Sequence, residues 1–184
     1  MSINVCNNNS MSAITSLPSG VGGGSLNLIT TSTASGASNV SFTSGIDSTY
    51  KEYIFKFYDM NPATDDSSFS FQASTNGGSS YGVTATTTAF VALHYEDDSD
   101  ASVSYSTGQD QAQSTGFINL AHAIGNGSDE SGSGTLHLFD PSNTTFVKHF
   151  ISRINSYHSG SRSYDNHRGG YFNTTSAINA IQFD

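Results

Sequence analysis

The sequence predicts an all-β chain, an antiparallel β-sandwich of jelly-roll type that carries an extended N-terminal arm. Three observations lead there. Apolar and polar residues alternate with period two in short runs, the pattern of strands that bury one face. Asn, Asp, Gly and Pro punctuate those runs, and no segment sustains a helical period. The chain is rich in Gly, Ser, Thr and Asn, yet its 12 Phe and 9 Tyr cluster inside the alternating runs. Each buried ring removes about 150–250 Å² from water, which separates this chain from a disordered one of similar polar composition.

The elements follow in order. Residues 1–24 contain three consecutive Asn, then Pro18 and the glycines Gly20 and Gly22 to Gly24, with short apolar islands at Ile14, Leu17 and Val21. This reads as an arm ending in a flexible hinge, with those three side chains as assembly anchors. The sandwich is expected over 25–184. Alternation begins at Leu26 and Leu28 and returns at Val40 and Phe42. The stretch YKEYIFKFYDM places five rings within nine positions, Tyr50 to Tyr58. Tyr53, Phe55 and Phe57 fall on one face of that strand and Ile54, Lys56 and Tyr58 on the other, so the rings read as core. SFSFQAS repeats the pattern after the turn at Asn61-Pro62, where Asp65 and Asp66 read as loop acids capping backbone donors. Further strands are expected at Thr87–His94, Ser102–Tyr105, Thr135–Phe139, Phe146–Ile154, Gly170–Asn173 and Ala177–Phe183, with a short turn of helix within Gln111–Ala123.

Composition excludes several functions. Net charge is −9 with only 6 Lys and Arg, so the electrostatic footprint of a nucleic-acid-binding protein is missing. No run approaches the ~20 apolar residues of a membrane span, and the N-terminus lacks the basic start and apolar core of a signal peptide. The single cysteine, Cys6, sits in a polar stretch with no activating base, so it reads as an incidental thiol.

Two constellations stand out. HYEDDSD groups Glu96, Asp97, Asp98 and Asp100 between two strands, hard oxygens of the kind Ca²⁺ prefers. The order of an EF-hand loop is absent, so a solvated hairpin tip competes with a calcium site. INSYHSGSRSYDNHRGGYF offers Tyr157, His158, Arg162, Tyr164, His167, Arg168 and Tyr171, flat rings and forked donors suited to a polar ligand such as a glycan, displayed on what reads as a loop. GNGSDESGSG reads as a mobile surface loop that lacks the Lys of a phosphate cradle. The histidines show no metal-binding spacing and no nucleophile elbow occurs, so neither a catalytic set nor a cofactor is expected.

SFTSGIDSTYKEYIFKFYDMNPATDDSSFSFQAST, SGTLHLFDPSNTTFVKHFISR and GGYFNTTSAINAIQF together resemble virion structural proteins of tailed phages, particularly those of marine bacteria and cyanobacteria. NNNSMSAITSLPSG resembles the arms that precede such domains. The resemblance implies a non-enzymatic tail-fibre or appendage component located in the virion, partnered by copies of itself and other virion proteins. Capsid decoration and binding of host surface glycan are the alternatives. Relatives extend past INAIQF by one more strand, whereas this sequence stops at Asp184. An open edge or unfilled groove is therefore expected.

Overall fold

The structure is a computed structural model, and it describes residues 26–184. The anchors Ile14, Leu17 and Val21, like Cys6, lie outside the described residues. Two units are distinguished, Met1–Thr31 and Ser32–Asp184. In the described part of the first unit, Leu26 and Leu28 are exposed and belong to no strand. Two alternating leucines that join no strand ladder among the described residues do not make one.

The second unit contains ten strands: β1 (Val40–Phe42), β2 (Glu52–Met60), β3 (Ser67–Ser74), β4 (Ala85–Tyr95), β5 (Ala101–Tyr105), β6 (Ile118–Ile124), β7 (Gly132–Phe139), β8 (Lys148–His158), β9 (Arg162–Phe172) and β10 (Ala180–Phe183). All pairings are antiparallel, and no helix forms among the described residues. Four strands run β1-β10-β3-β6 and six run β2-β7-β8-β9-β4-β5. A single pairing, Ile124 with His158, joins β6 to β8 at one corner. Rings pack between the two layers, Phe42 on Phe55, Phe57 on Phe69 and Phe71 on Phe150 and Phe172.

If the β8–β9 hairpin is set aside, the order becomes 1-10-3-6 over 2-7-4-5, the double Greek key of a jelly roll. The hairpin is inserted between β7 and β4. Because it adds two strands, β7 and β4 keep the opposite directions they would have as neighbours. β10 sits between β1 and β3 and pairs with both, so no groove opens there.

The interior has two parts. Phe71, Phe150, Phe172, Ile181 and Leu138 are buried in the apolar part, against Phe55, Phe57 and Phe69. Gly170 stands opposite Phe150, and a side chain there would come within 2.8 Å of its ring, so the glycine makes room for the core. Away from Phe150 and Phe172, the buried face of β8 and β9 is mostly polar, with Ser152, Ser156, His158, Asn166 and Arg168 around Ile154 and Tyr164. Lys148 is also fully buried. Its ammonium donates to the carbonyls of Phe146 and Thr174 at 3.0 and 3.2 Å, and burial pushes its pKa down against the pull of Asp140.

Two expectations are corrected. Gln111–Ala123 holds no turn of helix; its second half enters β6, buried along most of its length. Gly125–Gly134 is not a free loop: residues 125–131 form a pinned turn and Gly132–Gly134 begin β7. Asn61 donates to the carbonyls of Gly127 and Glu130 at 2.9 and 2.7 Å, and the Gly127 amide donates to Glu130 at 2.7 Å.

Candidate functional site

The register aligns one row of side chains across the outer face of the six-stranded sheet: Tyr105, Phe90, His167, Arg153, Thr135 and Lys56. Phe90 stacks on His167 with ring centres 4.5 Å apart and 8° between planes. Arg153 forks onto Asp165 at 3.1 and 2.7 Å, and His167 Nε2 lies 3.3 Å from the same carboxylate. Partial burial alone raises the Asp165 pKa, but the Arg153 bond and the nearby His167 outweigh it and hold the group below the usual carboxylate range.

In the next row Gly169 replaces a side chain with open space between Thr88 and Ile151. A shallow depression of about 370 Å³ results, with Gly169 and Ile151 at its base and Phe90, His167 and Arg153 along one wall. A ring edge, an apolar base and a forked cation suit a small ligand with one apolar and one hydroxylated face.

The predicted recognition loop is a long hairpin. Its side chains therefore divide by strand alternation. His158, Tyr164 and Arg168 point inward and are buried, while Tyr157, Arg162, His167 and Tyr171 are half-buried. Among the described residues Arg168 has no carboxylate partner. Its guanidinium donates to six neutral acceptors: the carbonyls of Asn119, Phe90 and His167 and the side chains of Gln109, Asn119 and Asn166. Burial pushes its pKa down to about 10.

His158 faces the Arg162 guanidinium at 2.8 Å and the Gly160 amide at 2.9 Å. Burial first, then the Arg162 charge, pushes its pKa down to about 4. The ring is therefore neutral. Arg162 also bonds the Tyr95 hydroxyl and lies over the Tyr95 and Tyr164 rings at 4.8 and 5.4 Å. These groups contact one another: His158 and Tyr164 are buried, and Arg162 and Tyr95 are half-buried against them.

The acidic residues at the β4–β5 turn do not converge. Glu96 accepts from the Tyr157 hydroxyl at 3.0 Å, Asp97 from the Ser99 amide at 3.0 Å, and Asp98 contacts His94 at 3.1 Å. Asp100 gives its carbonyl to the Tyr95 amide at 3.0 Å. Among the described residues no group of three or more His, Cys, Asp or Glu is placed to hold a metal ion. A second polar depression of about 410 Å³ lies beside this turn, lined by His94, Glu96, Asp129, Asn155 and Tyr157. Asp65 and Asp66 bond across to the neighbouring turns, at the Asn126 amide and the Ser159 hydroxyl.

The sheet's two edges differ. β2 carries Glu52, Lys56 and Asp59 and a register shift between Phe57 and Met60, the devices that discourage edge pairing. β5 is Ala-Ser-Val-Ser-Tyr, all exposed, without charge, proline or bulge. Among the described residues it pairs with β4 alone. Bonds from Ser106 to Ala89 and from Tyr95 to Asp100 bracket the ladder, so even-numbered β5 residues face β4. The amides and carbonyls of Ala101, Val103 and Tyr105 therefore point outward.

Sequence reasoning missed Phe90, Ile151, Arg153, Asp165 and Val103. Each looks ordinary alone, and only the cross-strand register assembles them. Compared with protein-family models, curated proteins and solved structures, the chain matches none.

Proposed function

We propose that this chain is a non-enzymatic structural protein of a tailed-phage virion. It is a tail-fibre or appendage module that joins copies of itself and other virion proteins, with the N-terminal arm as a connector. The observation that carries this reading is the unguarded strip at one side of the sandwich. Val103 is 73% exposed and Tyr105 53%, next to the exposed Phe90, in a chain otherwise strongly acidic. Contiguous apolar surface of this kind marks contact with other macromolecules. The resemblance of the three quoted segments to virion proteins supplies the setting, and capsid decoration uses the same surface. The test is mass spectrometry of purified phage particles, followed by imaging to locate the chain. Peptides from this chain are expected in intact particles, and their absence overturns the virion reading.

A second reading, binding of host surface glycan, rests on the depression over Gly169. Phe90→Ala is the informative variant there, since Tyr164 and Arg168 are buried. Binding on a glycan array that Phe90→Ala abolishes favours this reading, and silence of the native chain across a broad array removes it.

A further inference from the structure

We infer that β5 is a self-pairing edge. Two copies of this chain join β5 to β5 about a two-fold axis at Val103, and the two six-stranded sheets continue into one. The inference deepens the self-assembly part of the proposed function and rests on it.

Three observations select a second copy as the occupant. The strand reads Ala101-Ser102-Val103-Ser104-Tyr105, nearly the same in both directions about its centre. An antiparallel pair around a two-fold axis sets each residue against its mirror position, so Val103 meets its own counterpart and Ala101 meets Tyr105. The bulky Tyr105 faces the smallest side chain of the strand, and no like charges are opposed.

The groups that point outward are those this register uses. Ala101, Val103 and Tyr105 direct their amides and carbonyls away from β4. Each of the three opposed pairs then exchanges two hydrogen bonds. A register shifted by one residue would present groups already bonded to β4.

The edge is also where two acidic chains approach most easily. Each copy carries a net charge of −9, yet β5 has no ionisable group except the phenol of Tyr105, whose hydroxyl is bonded to Asp110 at 2.7 Å. On the outer face Val103 and Tyr105 extend the exposed apolar row begun by Phe90. A five-residue edge buries less than the ~1,200 Å² of a standard interface, so the dimer is concentration-dependent, on the order of micromolar. Repeated along a particle, such weak contacts multiply.

The test uses the full chain. Sedimentation across a concentration series is expected to show a monomer–dimer equilibrium, and Val103→Lys, which opposes two like charges at the axis, is expected to weaken it about tenfold or more. In a Cys6→Ser background, Val103→Cys is expected to cross-link to itself under mild oxidation, because directly opposed Cα atoms about 5.5 Å apart lie within disulfide range. Lys56→Cys, on the guarded edge, is expected not to. If Val103→Lys fails to fold, the cross-linking comparison decides alone. A native chain that stays monomeric, a dimer that survives Val103→Lys, or a Val103→Cys chain that cross-links no faster than Lys56→Cys overturns the inference. These results leave membership of the particle untouched, and absence from the particle leaves the solution dimer untouched.

Discussion

The two halves of the sandwich interior are filled by different means. Under β2 and β3 the layers meet through rings: Phe57, Phe69, Phe71 and Phe183 lie 4.9 to 6.2 Å apart in a connected cluster. Under β8 and β9, beyond Phe150 and Phe172, the space is filled mainly by Arg168, Asn166, His158 and two serines around Ile154 and Tyr164. The ring half gains from area removed from water, which is large and indifferent to direction. The polar half gains little net free energy from each bond, but every group must find its partner or forfeit its solvation. One half therefore supplies most of the stability, and the other fixes how the inserted hairpin sits.

The largest effect expected on this contrast is Phe71→Ala. Phe71 is fully buried and touches Phe150, Phe172 and Phe183, so its loss should cost about 3–5 kcal/mol in denaturant unfolding. A cost below about 1 kcal/mol would mean the ring half is not the main source of stability.

Acidification tests the polar half. His158 has its folded pKa lowered from 6.5 to about 4, so between those values the unfolded chain binds a proton that the folded chain refuses. Stability is complete above pH 6.5 and is lost as pH falls toward 4, by on the order of 3 kcal/mol. His122 is shifted in the same direction by burial and adds to the loss. Melting temperatures measured across this range should fall together with pH, and His158→Gln should flatten the slope; an unchanged slope would remove His158 as the cause.

Arg168→Met should follow, at about 2 kcal/mol, because it frees the acceptors from their donor while relieving the burial of a charge. Arg168→Lys should not restore stability, since an ammonium cannot reach six acceptors in fork geometry. Asp98→Ala lies at the bottom of the series. Asp98 is exposed at the hairpin tip, and its loss should change stability by less than about 0.5 kcal/mol, with no response to calcium or chelator in the melt.

How far the sequence could be read divides along the same line. The ring-bearing strands were legible, because Tyr53, Phe55 and Phe57 fall on one face, opposite Ile54, Lys56 and Tyr58, and do line the core side of β2. The β8–β9 hairpin was legible only at its ends. Along its middle, buried Ser152, Ser156, Asn166 and Arg168 alternate with outward Arg153, Asn155, Asp165 and His167, and Ile154 inside is matched by Ile151 outside, so the period is present but carries little hydropathy contrast. β6 failed for the opposite reason. INLAHAI carries apolar residues on both faces, with one polar residue on each, Asn119 and His122, so its hydropathy does not distinguish strand from helix. The candidate binding face was invisible, because no property of residues 90, 153 and 167 taken singly puts them side by side; only the pairing of three strands does.

The inserted hairpin also acts as a lever. Two extra strands, each about 4.8 Å wide, displace β4 and β5 sideways by about 10 Å relative to an eight-stranded jelly roll. The four-stranded layer gains no strand to match; the inner face of β4 stays buried at Ala85, Thr87, Ala89 and Val91, while β5 beyond it is exposed along its whole length, like the eave of a roof. The strand that would have closed an eight-stranded sandwich is left uncovered on both faces, open to a neighbour.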